Sequence, residues 1–307
     1  MMKIEKVVVL LSTYNGEKFL RQQLDSVLGQ KGVEVSVFVR DDGSSDNTID
    51  ILKEYEKKAS VKWYKGNNIG YAKSFWKLIR SSEDAEYFAF CDQDDIWDED
   101  KLYCAIDMIK NNFKNLNTPI LYFSDVRVTD CELHLIQDHM VDRIKATYAH
   151  SLMKNIAPGC TYVFNKAAKK ILEEYDVEKF GIDIHDWQVY RIVSCFGQVI
   201  FDKTSHMNYR QHSNNQIGAK NVGIKEYKDA LYRLKNKKNV NCRQEYAKRM
   251  LEAYGNLMSE ENFQITKRMA TYRGGIREKV QLLFDRRFNL EGIKGIYFKL
   301  LVLTGRV

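Results

Sequence analysis

Tyr87-Phe88-Ala89-Phe90-Cys91-Asp92-Gln93-Asp94-Asp95-Ile96-Trp97 is an apolar run that ends directly in three carboxylates. The leading residues show no alternation, which is the mark of a strand buried on both faces, and such strands belong to parallel sheets. The acids then fall at the carboxyl end of that strand, where open α/β sheets keep their ligand crevices. Asp92 and Asp94 stand two apart. In extended backbone they would project to one side and share a hard divalent cation, with Asp95 pointing elsewhere. A polar loop capping the next helix would use the same residue types, so the neighbouring sequence has to decide.

Upstream the pattern repeats. Lys6–Leu11 reads as a β-branched strand opening onto Ser12-Thr13-Tyr14-Asn15-Gly16, and Glu17–Leu28 carries Phe19, Leu20, Leu24, Val27 and Leu28 at helical spacing. Val33–Val39 is a second strand that ends in Arg40-Asp41-Asp42-Gly43-Ser44-Ser45-Asp46, where Ser45 or Asp46 can cap a helix running to about Lys58. Val61–Tyr64, then Gly66-Asn67-Asn68-Ile69-Gly70, then a helix through Trp76 and Ile79 complete a third unit before Tyr87. Strand and helix thus alternate four times, which predicts an α/β fold with a mostly parallel central sheet flanked by helices. Downstream, Lys101–Phe113 reads as helix, Ile120–Val128 as strand, Gly159–Asn165 as strand, Lys166–Tyr175 as helix, and Val199–Asp202 as strand. Met140–Met153 has only weak helical periodicity, and from Lys225 onward helical patterns alone remain.

Composition narrows the class. A chain of 307 residues, 44% hydrophobic, can bury a large core, and it has only two prolines and no low-complexity tract. The longest apolar run near the start, Val7–Leu11, is too short for a leader peptide or a membrane span, which predicts a cytoplasmic protein. Six scattered cysteines without a Cys-x-x-Cys pair predict reduced core thiols rather than a zinc site or a disulfide framework. The net charge of +7 is uneven: residues 219–307 hold 20 Lys and Arg against 9 Asp and Glu, while residues 1–218 hold 28 against 32. The expected division is therefore a catalytic domain over 1–218 and a basic, helical C-terminal extension over 219–307.

Three polar or acidic clusters, Ser12–Asn15, Asp41–Asp42 and Asp92–Asp95, end three strands on one rim. Carboxylates gathered there raise one another's pKa unless a cation or a donor-rich ligand offsets them. A nucleoside diphosphate with a bridging Mg²⁺ or Mn²⁺ would do both. Neither a Walker-type Gly-x-x-x-x-Gly-Lys-Ser/Thr nor a Gly-x-Gly-x-x-Gly after a strand is present, which excludes P-loop hydrolases and disfavours dinucleotide-dependent dehydrogenases.

Val8–Gly16, Val39–Thr48, Asn68-Ile69-Gly70 and Cys91–Trp97 resemble, in order and spacing, family 2 glycosyltransferases of the GT-A fold. Gly159–Asn165, His185-Asp186-Trp187 and Tyr209–Asn215 are similar to the bacterial rhamnosyltransferase-like branch, so the resemblance spans roughly residues 4–218. It implies that Ser12, Tyr14, Asn15, Asp41, Asp42 and Asn68 lie about the nucleotide, with Asp42 accepting from the base. It also implies that Asp92 holds ribose, that Asp94 and Asp95 hold a divalent cation with His212 approaching it, and that Asp186 is the catalytic base. The implied partners are a nucleotide-diphosphate sugar donor, carrying rhamnose or a hexose, and a saccharide or lipid-linked saccharide acceptor in cell-surface polysaccharide synthesis. Two departures stand out. No proline follows Trp97, where an acid suits a helix start equally well, and Gln188 replaces a second aromatic after His-Asp-Trp, which weakens the sugar assignment. A nucleotidyltransferase would need a basic Gly-rich loop after the first strand, and a silent sugar-nucleotide-binding or scaffold protein would not need Asp92, Asp94, Asp95 and Asp186 intact.

The basic extension closes with Arg286–Leu303, cationic and interleaved with aromatic and aliphatic residues. That pattern fits a helix lying on an anionic membrane at the inner face of the cell, and equally a helix packed on the body or on a second copy in a homodimer. Nucleic acid is not expected, because the basic residues coincide with no recognised binding module.

Overall fold

The structure is a computed structural model that describes residues 4–58, 60–139, 146–212, 242–289 and 292–307. Ser213, Asn214 and Asn215, and the helices expected over 225–241, lie outside the described residues. The chain falls into two compact units, Met1–Ala146 with Asn155–Gly218 and Thr147–Lys154 with Ala219–Val307.

In the first unit β1 (Glu5–Thr13), α1 (Leu20–Leu28), β2 (Val33–Asp41), α2 (Thr48–Lys58), β3 (Val61–Lys65), α3 (Tyr71–Ser81) and β4 (Tyr87–Cys91) alternate as the hydrophobic pattern requires. They are followed by β5 (Ile96–Trp97), α4 (Lys101–Asn112), β6 (Ile120–Thr129) and β7 (Leu135–Gln137). After α5 (Tyr148–Met153), which belongs to the second unit, come β8 (Val163–Asn165), α6 (Lys166–Glu173), α7 (Val177–Phe180), α8 (His185–Phe196) and β9 (Gln198–Arg210).

The strands form one sheet in the order β3-β2-β1-β4-β8-β6-β9-β5, with β7 paired to β6. β1 to β4 are mutually parallel; β8 opposes β4 and β6, so β6 and its parallel partner β9 point the same way as the first four. β1 and β4 explain why the sheet is central: Val7 to Leu11 and all of β4 are buried, each Val, Leu and Phe side chain among them contributing on the order of 1.5–3 kcal/mol. β2 and β3 lie to one side of β1 and β4 to the other, with Leu11 opposite Cys91, so the winding reverses between β1 and β4. Such a reversal leaves a crevice at the strands' carboxyl ends, and Ser12–Asn15 and Asp92–Asp95 stand there.

Two elements differ from expectation. Gly159–Thr161 is a 3₁₀ turn, closed by Thr161 N–H to Pro158 O and Tyr162 N–H to Gly159 O, and only Val163–Asn165 pairs as strand. β9 runs through to Arg210, past a polar Lys203-Thr204-Ser205-His206 stretch that breaks the hydrophobic signal, and its pairing with β6 shifts register around Asp125.

In its described residues the second unit is mostly helical. Besides α5 it contains helices Cys242–Tyr254, Glu260–Thr271, Ile276–Phe284 and Gly292–Thr304. All six residues of α5 are buried; Tyr148 Oη bonds Thr266 Oγ1 at 2.6 Å, and Arg243 donates to the Met153 carbonyl. The weak period over Met140–Met153 therefore yields a helix at its end, residues 140–145 lying outside the described residues. Arg286–Leu303 is not one helix: Arg286–Phe288 is a 3₁₀ turn ahead of the last helix.

Candidate active site

The first loop and the acidic loop are locked by one side chain the sequence reading passed over. Gln93 Oε1 accepts from Thr13 Oγ1 at 2.7 Å and from Tyr14 N–H at 2.9 Å, while its amide donates to Tyr14 O at 3.3 Å. Ser12 Oγ lies 2.6 Å from Ser74 Oγ on α3, and Tyr14 is exposed. Asn15 sits at φ 50°, a left-handed conformation that asparagine tolerates, and its Oδ1 accepts from Ser45 N–H at 2.9 Å.

The second acidic pair is turned mostly inward. Asp41 Oδ2 accepts from the Gly43 and Ser44 amides at 3.1 and 3.0 Å, leaving its buried Oδ1 without a hydrogen bond among the described residues. Asp42 pairs with Arg40 and accepts from the Ile69 and Gly70 amides at 3.1 and 2.9 Å, which sets it on the N-terminus of α3. Asn68 is exposed beside it, its Oδ1 3.2 Å from Gly70 N.

β4 ends at Cys91, so the strand alternation expected to align Asp92 with Asp94 does not extend into the acids. Asp94 turns to His212, Oδ2 to Nε2 2.7 Å, and the His212 ring stacks on Phe19. Asp95 is fully buried, Oδ1 accepting from Arg210 N–H at 3.0 Å and Oδ2 without a partner among the described residues. Its ligand atom groups instead with those of Asp92 and Cys160, all within 4.8 Å of one another. Burial, then the charges of Asp94 and Asp186, push the Asp92 carboxyl up to about 7; burial likewise raises Asp94, opposed by His212. Asp95 is raised well above the usual carboxylate range by burial and by its two acidic neighbours.

Asp186 stands in the first turn of α8. Its Oδ1 accepts from Trp187 N–H at 2.7 Å, and the Asn155 side chain and the Gly159 amide also donate to its carboxylate. Burial outweighs these donors and raises its pKa to about 6. Tyr71, at the start of α3, feels both Asp186 and Asp92 after the effect of its own burial, so the acid just after β4 and the acid of α8 converge on one place. His185 is buried beside them, stacked on Phe75 at 4.1 Å, and burial lowers its pKa to about 3, so the imidazole is neutral.

The donor set fits a divalent cation. Carboxylates crowded enough to hold protons near neutrality, a buried carboxylate oxygen with no donor, and an adjoining imidazole are what Mg²⁺ or Mn²⁺ offsets. A second group, Asp100, Cys104 and His206, lies at the start of α4 and on β9, with His206 Nε2 3.1 Å from Asp202. Asn155, Gly159, Gln93 and Tyr71 are the residues sequence reasoning did not single out. Gly159 and Gln93 lay within motifs already noted, and neither was given a role there.

Residues 8–174 match Glycosyl transferase family 2. The dTDP-rhamnosyl transferase RfbG of Shigella flexneri is 33% identical over 245 residues, covering 74% of this chain and 80% of that protein. The poly-beta-1,6-N-acetyl-D-glucosamine synthase of Staphylococcus epidermidis is 31% identical over 113 residues, covering 36% of this chain and 27% of the synthase. A crystal structure of S. aureus TarS 1-349 in complex with UDP-GlcNAc superposes with a TM-score of 0.57 at 15% identity, over 98% of this chain and 89% of that one.

Proposed function

From the premise that the chain belongs to glycosyl transferase family 2 and is a glycosyltransferase, we propose an inverting, metal-dependent enzyme that moves rhamnose or a hexose from a nucleotide-diphosphate donor to a saccharide of a cell-surface polysaccharide. The convergence of Asp186 with Asp92 carries this reading: a carboxyl that ionises near 6 is placed beside the acids expected to meet the donor. In the reaction Asp186 takes the proton of the acceptor hydroxyl. The freed oxygen attacks the anomeric carbon from the face opposite the diphosphate, the carbon–oxygen bond to the diphosphate breaks, and one displacement inverts the centre. Asp94, with His212 against it and Asp92 and Asp95 nearby, would hold Mn²⁺ or Mg²⁺, whose chemistry there is to neutralise charge on the departing diphosphate. Ser12, Tyr14, Asn15 and Asn68 would meet the nucleotide from the rim, with Gln93 fixing the loop that carries Tyr14, and the inward-turned Asp41 and Asp42 would support them through the Gly43, Ser44, Ile69 and Gly70 amides. Kinship to RfbG supports dTDP-rhamnose as the first donor to try and a UDP-hexose as the second.

The test is mass spectrometry of a donor panel with a saccharide acceptor and Mn²⁺, scoring the anomeric configuration of any product. Retention of configuration, or transfer undiminished by chelator, would overturn the corresponding part. For the cation, Asp94→Ala is expected to abolish Mn²⁺-dependent nucleotide binding by calorimetry while the variant stays folded. Unchanged binding would remove Asp94 from the site.

A further inference from the structure

The last two helices carry apolar side chains on faces that no described residue covers. Helix Ile276–Phe284 turns Leu282 inward and leaves Ile276, Val280 and Phe284, one turn apart, in solvent; Ile276 is 84% and Phe284 80% exposed. Helix Gly292–Thr304 buries Phe298, Leu301 and Val302 on one side and exposes Ile296, Leu300 and Leu303 on the other, Ile296 at 64%. The two helices pack on each other, and Phe288 stacks on Phe298 where the chain turns between them. A helix apolar on both faces belongs inside a protein or at a lipid surface, and a contiguous exposed apolar patch marks a docking face.

Charge selects the occupant. Residues 276–304 hold six Lys and Arg against three Asp and Glu. Arg277, Arg286 and Lys299 are exposed and make no ion pair among the described residues, whereas Asp285 is already shared by Arg268 and Arg287. Two-fold contact with a second copy sets the same patch against itself, so its unpaired cations would face one another. An anionic bilayer offers acyl chains to the apolar residues and phosphates to the cations at once.

We propose that the face formed by helices Ile276–Phe284 and Gly292–Thr304 docks on an anionic lipid surface. This docking stands apart from the transfer reaction and holds whichever donor the enzyme uses. Co-sedimentation of the full chain with phosphatidylglycerol-containing vesicles and with pure phosphatidylcholine vesicles tests it. Binding is expected to the anionic vesicles at low salt, and to fall at least about tenfold on neutral vesicles or in ~0.5 M salt. Phe284→Ser combined with Ile296→Ser, both at solvent-exposed positions, should lower anionic-vesicle binding about tenfold with donor turnover and circular dichroism unchanged. Equal binding to neutral vesicles, or undiminished binding by the double variant, overturns the proposal. So does a full chain that ignores vesicles but forms a dimer in sedimentation equilibrium that the double variant dissociates, which would assign the face to a second copy.

Discussion

As the proposed base, Asp186 would set the working pH through its surroundings. Its carboxyl is raised to about 6 by burial, and only its ionised form can take a proton. Transfer by the enzyme should therefore rise about tenfold per pH unit below that value and level off above it, as a stopped assay across a pH series would show. A rate that is flat from pH 5 to 8, within about twofold, would place the base elsewhere. Asp186→Asn should keep donor affinity and lose turnover on the order of a hundredfold, since the amide is nearly isosteric but accepts no proton. Gly159 is the less visible half of the arrangement. A methyl there would stand 2.9 Å from His185 Nε2 and 3.0 Å from Asp186 Cβ, so Gly159→Ala must push the start of α8 away. We expect turnover down roughly ten- to a hundredfold with donor affinity held, because small displacements of a positioned base cost that much; unaltered turnover would show that the turn yields instead. Asp186 was readable in the sequence because an acid ahead of Trp187 forms part of a motif. Asn155 was not, and Gly159, although inside a motif, carried no sign of this role, because an amide donor and a missing Cβ act through proximity that only the folded backbone creates.

At the scale of elements, the alternation of strand and helix through β4 was legible because buried parallel strands are continuous apolar runs and their helices carry regular stripes. Helix α2 starts as expected, with Asp46 Oδ1 accepting from Thr48 N–H at 3.0 Å. The second half was read less fully. β5 and β7 are two and three residues long, below any periodic signal, and β9 hides a polar middle. Asn165, at the β8–α6 junction, ties the start of α6 to the chain entering β6. Its Oδ1 accepts from Ala168 N–H at 2.9 Å and Ile120 N–H at 3.0 Å, and its amide donates to the Leu116 and Thr118 carbonyls at 2.9 and 2.8 Å. Asn165→Ala removes a helix cap and strands a buried amide at the start of β6, for a cost of about 3 kcal/mol. Denaturant unfolding should show the lower midpoint with donor affinity intact; a loss under about 1 kcal/mol would mean that water replaces these bonds.

For the whole molecule, the charge asymmetry at residue 218 was legible as composition, but the exchange of Thr147–Lys154 into the second unit was not, since a six-residue helix leaves too short a pattern. A chain ending at Gly218 would leave all six residues of α5 without the helices Cys242–Tyr254 and Glu260–Thr271 that contact them. Such a truncation should aggregate on size-exclusion chromatography, and replacing 147–154 in it by a Gly/Ser linker should restore a soluble monomer. A soluble, unmodified 1–218 chain would show that α5 stays covered without them. The same exchange has a consequence for synthesis. Lys154 leaves the ribosome 88 residues before Cys242 does, an interval of roughly 4–18 seconds at ordinary elongation rates of about 5–20 residues per second. Over the last 32 residues of that interval, once Arg210 is out, Tyr148, Leu152 and Met153 are on a nascent chain that already holds strands β1 to β9 but not the helices that contact α5. Their exposure gives holding chaperones a defined window, and elongation speed becomes a determinant of yield.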